Sequence, residues 1–531
     1  SHSSSLRSDQ TKEISFLTEA MVIMGFPDGK FKPLETIIRK DAAMMLVRAM
    51  KIETSSESEN STTDILETIN GYRDVLAVIN RGMLTVENSE FKPYEPLTRK
   101  EMAKALAVAF NYQGEGNSKF TDVNEDDYYY PYIDAIAEND ITKGYNDGTF
   151  KPDEIVTRAQ FSAFLARIYS QPIEYTVERN GEILQTVQGM GNAIDTAIEY
   201  ENATVHPVDN TLKSFSNQTG LLEETGIKNG VLIYNGAENK REFSKEYFKP
   251  YLVRDLEKNT GTMFDTFVVL GRTFSNDVYL AESSKNTADY HEWFWYLNRT
   301  FDKDGALSKL NETAEEANQN VNVYISIPYP KRQGDIIDFY GESHENTLEE
   351  RKKLVDWYLK SVELEWDASQ FENLTFKGYY WLNETVTNYD DEVLVEYVSQ
   401  SIALQNKHLI YSPHALSSNF EYWEQIGFDG AFLQPNAFKM SGKDAEYRLH
   451  QAFIKAQIYG SGINVEINSY GPHQMVEGLE NFKMYVDIAK RYELAGRSLI
   501  FYQDTEMVYR MATYTEPGYS EAYQLLQSII K

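Results

Sequence analysis

At 531 residues with 42% hydrophobic content, the chain has enough apolar mass for roughly two or three packed domains, and with no cysteine it can form neither disulfides nor thiolate metal sites. A formal net charge of −30 and a pI near 4.7 exclude nucleic acid and anionic membrane as general partners, because the long-range field repels polyanions. An anionic ligand has to be met by local Arg or Lys. No apolar run reaches the roughly 18 residues of a membrane span, so no membrane insertion is expected. The 13% aromatic share, with 37 Tyr, suits a sugar-stacking cleft and Tyr-rich cores equally well. The Ser-His-Ser-Ser-Ser start, without Met, reads as a processed or expression-derived start, so a signal peptide could have been removed.

The first 170 residues repeat themselves. Phe31-Lys32-Pro33 recurs as Phe91-Lys92-Pro93 and Phe150-Lys151-Pro152, at spacings of 60 and 59 residues. Each copy leads into a basic motif and a predicted amphipathic helix: Ile38-Arg39-Lys40-Asp41, Thr98-Arg99-Lys100-Glu101 and Thr157-Arg158-Ala159-Gln160. The third copy is the most complete, with Phe120-Thr121-Asp122-Val123, a helix expected over Tyr132 to Asn139, and Gly144-Tyr145-Asn146-Asp147-Gly148-Thr149-Phe150. The Gly…Asp-Gly-x-Phe-x-Pro…Thr-Arg order resembles S-layer homology repeats over about a third of the chain. The resemblance implies an all-α three-repeat bundle that binds pyruvylated secondary cell-wall polysaccharide non-covalently. Arg39, Arg99 and Arg158 would then lie at helix N-termini in grooves between repeats, where guanidinium and helix-end N–H groups suit a carboxylate. The plainer alternative is that these Arg pin the repeat interfaces. Copy one lacks the Phe-x-Asp opening, and copy two has Glu87-Asn88-Ser89-Glu90 in place of Asp-Gly.

Residues 171–223 read as a small β-containing connector. Ile173 to Val187 alternates around Asn180-Gly181, a hairpin signal; the rest is polar without a strong period. From about Gly226, apolar runs alternate with helical patterns. Strands are expected at Val231–Tyr234, Phe264–Gly271, Asn322–Ile327, Leu374–Trp381, His408–Tyr411, Gly430–Gln434, Ile463–Ile467 and Ser498–Tyr502. Helices are expected at Ala288–Phe301, Leu348–Trp366 (with a capping box from Thr347 and Glu350), Asp391–Gln405, Asp444–Tyr459 and Met475–Leu494. Eight strands alternating with helices predict a (β/α)₈ TIM barrel. A doubly wound sheet is the runner-up, but no Gly-rich phosphate loop follows the first strand. The expected organisation is a multidomain chain: 1–170 with repeats at about 12–52, 62–112 and 119–170, then the connector 171–223, then the barrel 224–531.

Carboxylates past the C-terminal ends of barrel strands are the chemical candidates. Glu384 follows strand four and Glu466 ends strand seven. Asn383-Glu384 after strand four with a Glu on strand seven resembles the retaining (β/α)₈ glycoside hydrolases, and the domain looks like a poorly characterised family found on wall-anchored bacterial proteins. That resemblance implies Glu384 as acid/base, Glu466 as nucleophile, Asn383 on the sugar 2-substituent, and carboxyls about 5–5.5 Å apart. Glu466, with fixed strand-end donors, is expected to hold the low pKa, and Glu384, beside Trp381, the proton. Trp381, Asn235, Tyr329, His414, Gln434, Asn436 and Asp504 are the expected glycan-binding residues, with Asp504 the rival for a catalytic role. Trp293 and Trp295 fit the core better than a stacking role, which Trp423 could also fill. The sequence holds no His-Glu-x-x-His, P-loop or Gly-x-Ser-x-Gly, so no metal and no cofactor are expected, which also disfavours a metal-dependent deacetylase. The reading is an extracellular, wall-anchored glycoside hydrolase of the cell surface acting on a wall polysaccharide or exopolysaccharide. Its rival is a non-catalytic glycan-binding or S-layer-associated surface protein.

Overall fold

Asn229–Tyr234, Thr266–Leu270, Val321–Ile327, Leu374–Trp381, His408–Tyr411, Gly430–Leu433, Gly462–Glu466 and Leu499–Tyr502 are the eight strands of a closed barrel in the computed structural model. The structure describes residues 35–531 except 51, 56, 140, 143, 146, 170–173, 209–220, 387–388, 416, 418–419, 421–422 and 468–474. Every barrel pairing is parallel, and each strand lies beside its neighbour in sequence. Strand eight closes on strand one through Leu499↔Asn229, Ile500↔Gly230 and Phe501↔Val231. These are the runs expected from sequence, with ends differing by one or two residues. A parallel strand is covered on both faces, so nearly every residue of these runs is buried, and they read as continuous apolar stretches.

The helices between the strands include Tyr290–Phe301, Leu348–Ser369, Tyr389–Ala403, Gly442–Tyr459 and Met475–Arg491. Thr347 caps its helix by accepting from Glu350 N at 3.2 Å, but the Glu350 carboxylate lies 3.1 Å from Lys353 Nζ instead of completing the box. None of the described helices is long and apolar enough to cross a membrane.

The described chain divides into two compact units. The segment after the repeats is more ordered than its polar composition suggests. Glu174–Arg179 and Glu182–Gln188 form the expected hairpin, and Thr204–Pro207 adds a third antiparallel strand. Helix Met190–Tyr200, which the sequence reading missed, buries only Ala193, Ile194 and Ala197. The segment belongs to the barrel's unit, where Val205 N donates to Tyr492 Oη at 3.0 Å and His206 Nδ1 lies 2.8 Å from Gln457 Oε1.

In the other unit the described part is helical: Arg39–Met50, Tyr72–Asn80, Arg99–Ala109, Tyr130–Glu138 and Arg158–Tyr169. Phe31-Lys32-Pro33 and the start of the first copy lie outside the described residues. The segments leading into the three basic-motif helices are joined in a ring of backbone hydrogen bonds. Ile37 N donates to Val156 O (3.0 Å), Val156 N to Leu97 O (2.9 Å), and Leu97 N to Ile37 O (2.9 Å). Asp64 accepts from the amides of Phe91 and Lys92, and Asp122 from those of Phe150 and Lys151, which fixes both Phe-Lys-Pro corners. Copy two makes its turn without Asp-Gly, with Asn88 and Ser89 both at positive φ (51° and 63°) and Glu87 bridged to Glu90.

Close approach of strands four and five depends on Gly378, where a Cβ would run into the backbone of His408. Gly378→Ala should therefore lower barrel stability by about 1–3 kcal/mol or more, through overpacking against a backbone that cannot move aside. Urea unfolding followed through the barrel's transition measures it.

Candidate functional site

A barrel strand sends alternate side chains inward and outward, and this parity selects what reaches the mouth. On strand four Tyr380 points in, and so do Leu382 and Glu384 beyond the strand end. On strand one Leu232 and Tyr234 point in, on strand seven Asn464, and on strand eight Tyr502. With Arg272, Glu282, Asn383, His414, Gln434, Asn436 and Phe438 these residues line a cavity of about 450 Å³ at the C-terminal ends of the strands.

Glu384 is exposed in this cavity, and its carbonyl accepts from His414 N at 3.2 Å. Asn383 donates from Nδ2 to Glu282 Oε2 at 2.8 Å. Asn436 accepts from Ala415 N at 2.8 Å, and Gln434 donates to Ser412 O at 2.6 Å, so both amides are oriented by the loops they line. Burial pushes the Tyr502 phenol up to about 12 and holds Tyr234 and Tyr380 well above the ordinary range, with the Glu384 carboxylate raising all three further. The phenols therefore stay neutral donors at the floor.

Glu466 is not on the cavity wall. It is 2% exposed and borders a small neighbouring void with Met475, Tyr485 and Met511; Phe438 lines both spaces. Its Oε1 accepts from Ala437 N (3.2 Å) and lies 3.3 Å from the Tyr485 hydroxyl, while Oε2 is buried and has no hydrogen-bond partner among the described residues. Burial pushes its carboxyl up to about 8, against the pull of the Ala437 amide and the Tyr485 hydroxyl, and Glu384 adds a smaller upward push. The low pKa expected for Glu466 is thus reversed. The expected donors are present, but lost hydration outweighs them.

Four expected glycan contacts lie elsewhere. Trp381 is 1% exposed and faces the helical layer, because it is one residue out of phase with Tyr380. Asn235 likewise points outward, donating to Thr300 Oγ1 at 3.2 Å. Tyr329 is buried and donates to Asp391 Oδ2 at 2.7 Å, on a carboxylate also held by Arg351 at 2.7 Å. Asp504 is absent from the wall, and its charge helps to raise Tyr502. Trp293 and Trp423 are also buried, so the cavity's aromatic surface is Tyr and Phe. The tyrosines Tyr234, Tyr380 and Tyr502 and the amide Asn464 were missed, although strand parity would have found them. Glu282, in a loop well past strand two, carries no local signal.

Among the described residues, two clusters away from the cavity have ligand atoms within 4.8 Å of one another, as a cation site requires: Glu224, His408 and Asp429, and Asp338, Glu342 and His344. Each already has a carboxylate engaged by backbone amides, Asp429 by Leu409 and Asp338 by Tyr340 and Glu342.

The three basic-motif arginines are the first residues of their helices and are 5%, 4% and 6% exposed for Arg39, Arg99 and Arg158. Each reaches the next copy. Arg39 donates to Phe91 O and Thr85 O (both 2.8 Å) and pairs with Glu101; Arg99 donates to Phe150 O (2.8 Å); Arg158 lies 3.5 Å from Asp41.

A family model described as "Domain of unknown function (DUF4855)" matches residues 229–528, and the S-layer homology domain matches residues 8–43 and 119–162. The S-layer homology domain places the chain outside the cell, at the cell surface, as a wall-anchored protein. The chain is 31% identical over 160 residues to the Surface-layer 125 kDa protein of Lysinibacillus sphaericus, covering 29% of this chain and 13% of that protein. It is 23% identical over 194 residues to Cell surface glycoprotein 1 of Acetivibrio thermocellus, covering 34% of this chain and 8% of that protein. The chain thus spans a small part of these relatives' length. Among solved structures, the YdhT protein from Bacillus subtilis matches 59% of this chain and 89% of that chain at 11% identity, with a TM-score of 0.32.

A group whose folded pKa is raised holds its proton in the native state after the unfolded chain has released it. Stability therefore falls as pH rises from the unfolded Glu value to about 8, and levels off above it. Glu466→Gln should remove a decline of up to about 1.4 kcal/mol per pH unit over that window. Urea unfolding of both proteins between about pH 5 and about pH 8 checks it.

Proposed function

Because the chain belongs to the DUF4855 family and carries an S-layer homology domain, we propose that it is a wall-anchored glycoside hydrolase whose carboxyl pair is Glu384 and Glu466. The observation that carries this reading is the contrast between the two groups. One is exposed in a polar, Tyr-lined cavity, and the other, beside it, is held protonated near neutrality by burial. Glycosidic cleavage needs one carboxyl in each state.

On this reading Glu466 gives its proton to the glycosidic oxygen as the C–O bond breaks, and the Glu384 carboxylate forms an ester bond to the anomeric carbon. Water then attacks that carbon, its proton returns to Glu466, and Glu384 leaves as the free carboxylate. Two displacements give net retention. The roles are the reverse of those implied by resemblance, because burial favours the proton on Glu466. This reading requires substrate to displace Phe438, which lines both spaces. The same Phe438 supports the second reading, a barrel that binds glycan without cleaving it.

Incubation with purified wall glycans should produce new reducing ends. Glu384→Gln and Glu466→Gln should each lower the rate by about a hundredfold or more, the usual range for acid–base groups. Proton NMR of the first-formed anomer should show retention. Activity should fall as pH rises through about 8, where Glu466 loses its proton. Glycan binding without reducing ends would favour the second reading.

The three repeats, ending at about residue 170, form the anchor in this proposal, and its ligand is pyruvylated secondary cell-wall polysaccharide. Since each basic-motif arginine also joins two copies, Arg→Lys at 39, 99 and 158 is the informative change: it keeps the charge and loses the two-pronged fork. The triple variant should pull down less with sacculi that retain the polysaccharide. Equal pull-down by both proteins would remove these arginines from the binding site.

A further inference from the structure

Arg272 stands on the cavity wall just beyond strand two, with its side chain exposed. Its backbone is tied down on both sides. Glu238 Oε1 accepts from Arg272 N at 2.8 Å, and Arg272 O accepts from Leu280 N (2.8 Å) and Ala281 N (3.2 Å). Gly271 before it has no room for a Cβ between Tyr296 and the Gly236 backbone, so the mount cannot slide. The head group is treated differently. Among the described residues the Arg272 guanidinium makes no hydrogen bond and no ion pair. The neighbouring Glu238 carboxylate is occupied by the backbone amides of Arg272 and Thr273 and by the Thr273 hydroxyl. Elsewhere in the barrel Arg241 and Arg510 hold Glu506, and Arg351 holds Asp391.

We propose that Arg272 is a carboxylate-binding residue of the cavity and that the glycan taken there is acidic, carrying a uronate or a pyruvate ketal. The proposal rests on the cavity being the glycan site. A planar fork on a fixed mount matches a carboxylate through two parallel hydrogen bonds. A chain with a net charge of −30 repels acidic polymers at long range, so a local cation has to supply the attraction. The surroundings fit. Burial raises the Tyr234 and Tyr502 phenols, and on both of them the Arg272 charge pulls down while Glu384 pushes up, so the guanidinium and Glu384 act on one floor. The two neutral phenols supply donors beside the fork. Glu282, the other carboxylate on the wall, is engaged by Asn383 at 2.8 Å.

The test uses the full chain and paired probes that differ only in charge: oligogalacturonate and oligomannuronate against their carboxyl-reduced forms, and pyruvylated oligogalactan against the same glycan with the ketal removed. Binding is read by calorimetry for wild type, Arg272→Gln and Arg272→Lys. In at least one pair, wild type should prefer the acidic member by about tenfold to a hundredfold, the range for a charge-assisted hydrogen-bonded pair. Arg272→Gln should bring the ratio near one, and Arg272→Lys should keep part of it. The pair that responds separates uronate from ketal. The repeats, proposed above to take a pyruvylated glycan, contribute equally in the three proteins, so for the ketal pair the readout is the change in the ratio from wild type to Arg272→Gln, and only an unchanged ratio counts as intact. No acidic preference in any pair, or a preference intact in Arg272→Gln, overturns the proposal. Reducing ends are assayed on the same samples. Acidic glycan bound through Arg272 but left uncut would refute hydrolysis and keep the subsite, whereas cleavage indifferent to Arg272 would do the reverse.

Discussion

The barrel depends on the hydrogen bonds between its last strand and its first, Leu499↔Asn229 through Phe501↔Val231. An open parallel sheet would leave two edges and no enclosed face. Once the ring is closed, each strand has one set of side chains inside and one set against the helices, and a residue's parity decides its fate. Tyr380 and Glu384 share a parity and reach the mouth. Trp381, between them, is buried under the helical layer with an indole N–H that finds no partner among the described residues. The glycines at Gly378 and Gly462 serve the closure, since at each a Cβ would meet neighbouring strands or the Phe432 ring closer than atoms approach. The candidate site is thus a by-product of closure: polar residues tolerated at strand ends are gathered from strands far apart in sequence.

Two buried carboxyls show two ways of living with lost hydration. Asp391 meets Arg351 and the Tyr329 hydroxyl, which tie the end of strand three to two helices. Glu466 meets backbone amides and the Tyr485 phenol but no counter-charge among the described residues. An ion pair compensates a buried charge; without one, the group keeps its proton. In the function proposed above, the proton kept on Glu466 is the one that cleavage would use.

The repeat unit reaches order by a different route. Its copies are joined by the cyclic backbone bonds among Ile37, Leu97 and Val156 and by arginines that each reach the next copy. Each copy supplies a helix start and receives the one before it. The tolerance of copy two for Asn88 and Ser89 in the left-handed region follows: its turn is held by Asp64 on the adjoining corner as well as by its own geometry.

Much of this was legible in the chain. The 60-residue period, the eight apolar runs and the helical stretches between them are local patterns, and local patterns survive folding because each states which face of its own element is buried. Glu384 was legible for the same reason, as a carboxylate just past a strand end. The rest required the tertiary structure. Whether Trp381 and Asn235 face the cavity is a question of phase around a closed ring. Whether Arg39, Arg99 and Arg158 are open or engaged depends on backbone carbonyls some 46 to 52 residues away for Arg39 and Arg99, and on Asp41 for Arg158. Whether Glu466 is charged depends on how much water it loses, and no strand pattern states that. Sequence by itself determined which elements form; their assembly decided which side chains share a space and which protons stay, because burial and electrostatics are properties of the neighbours a residue acquires.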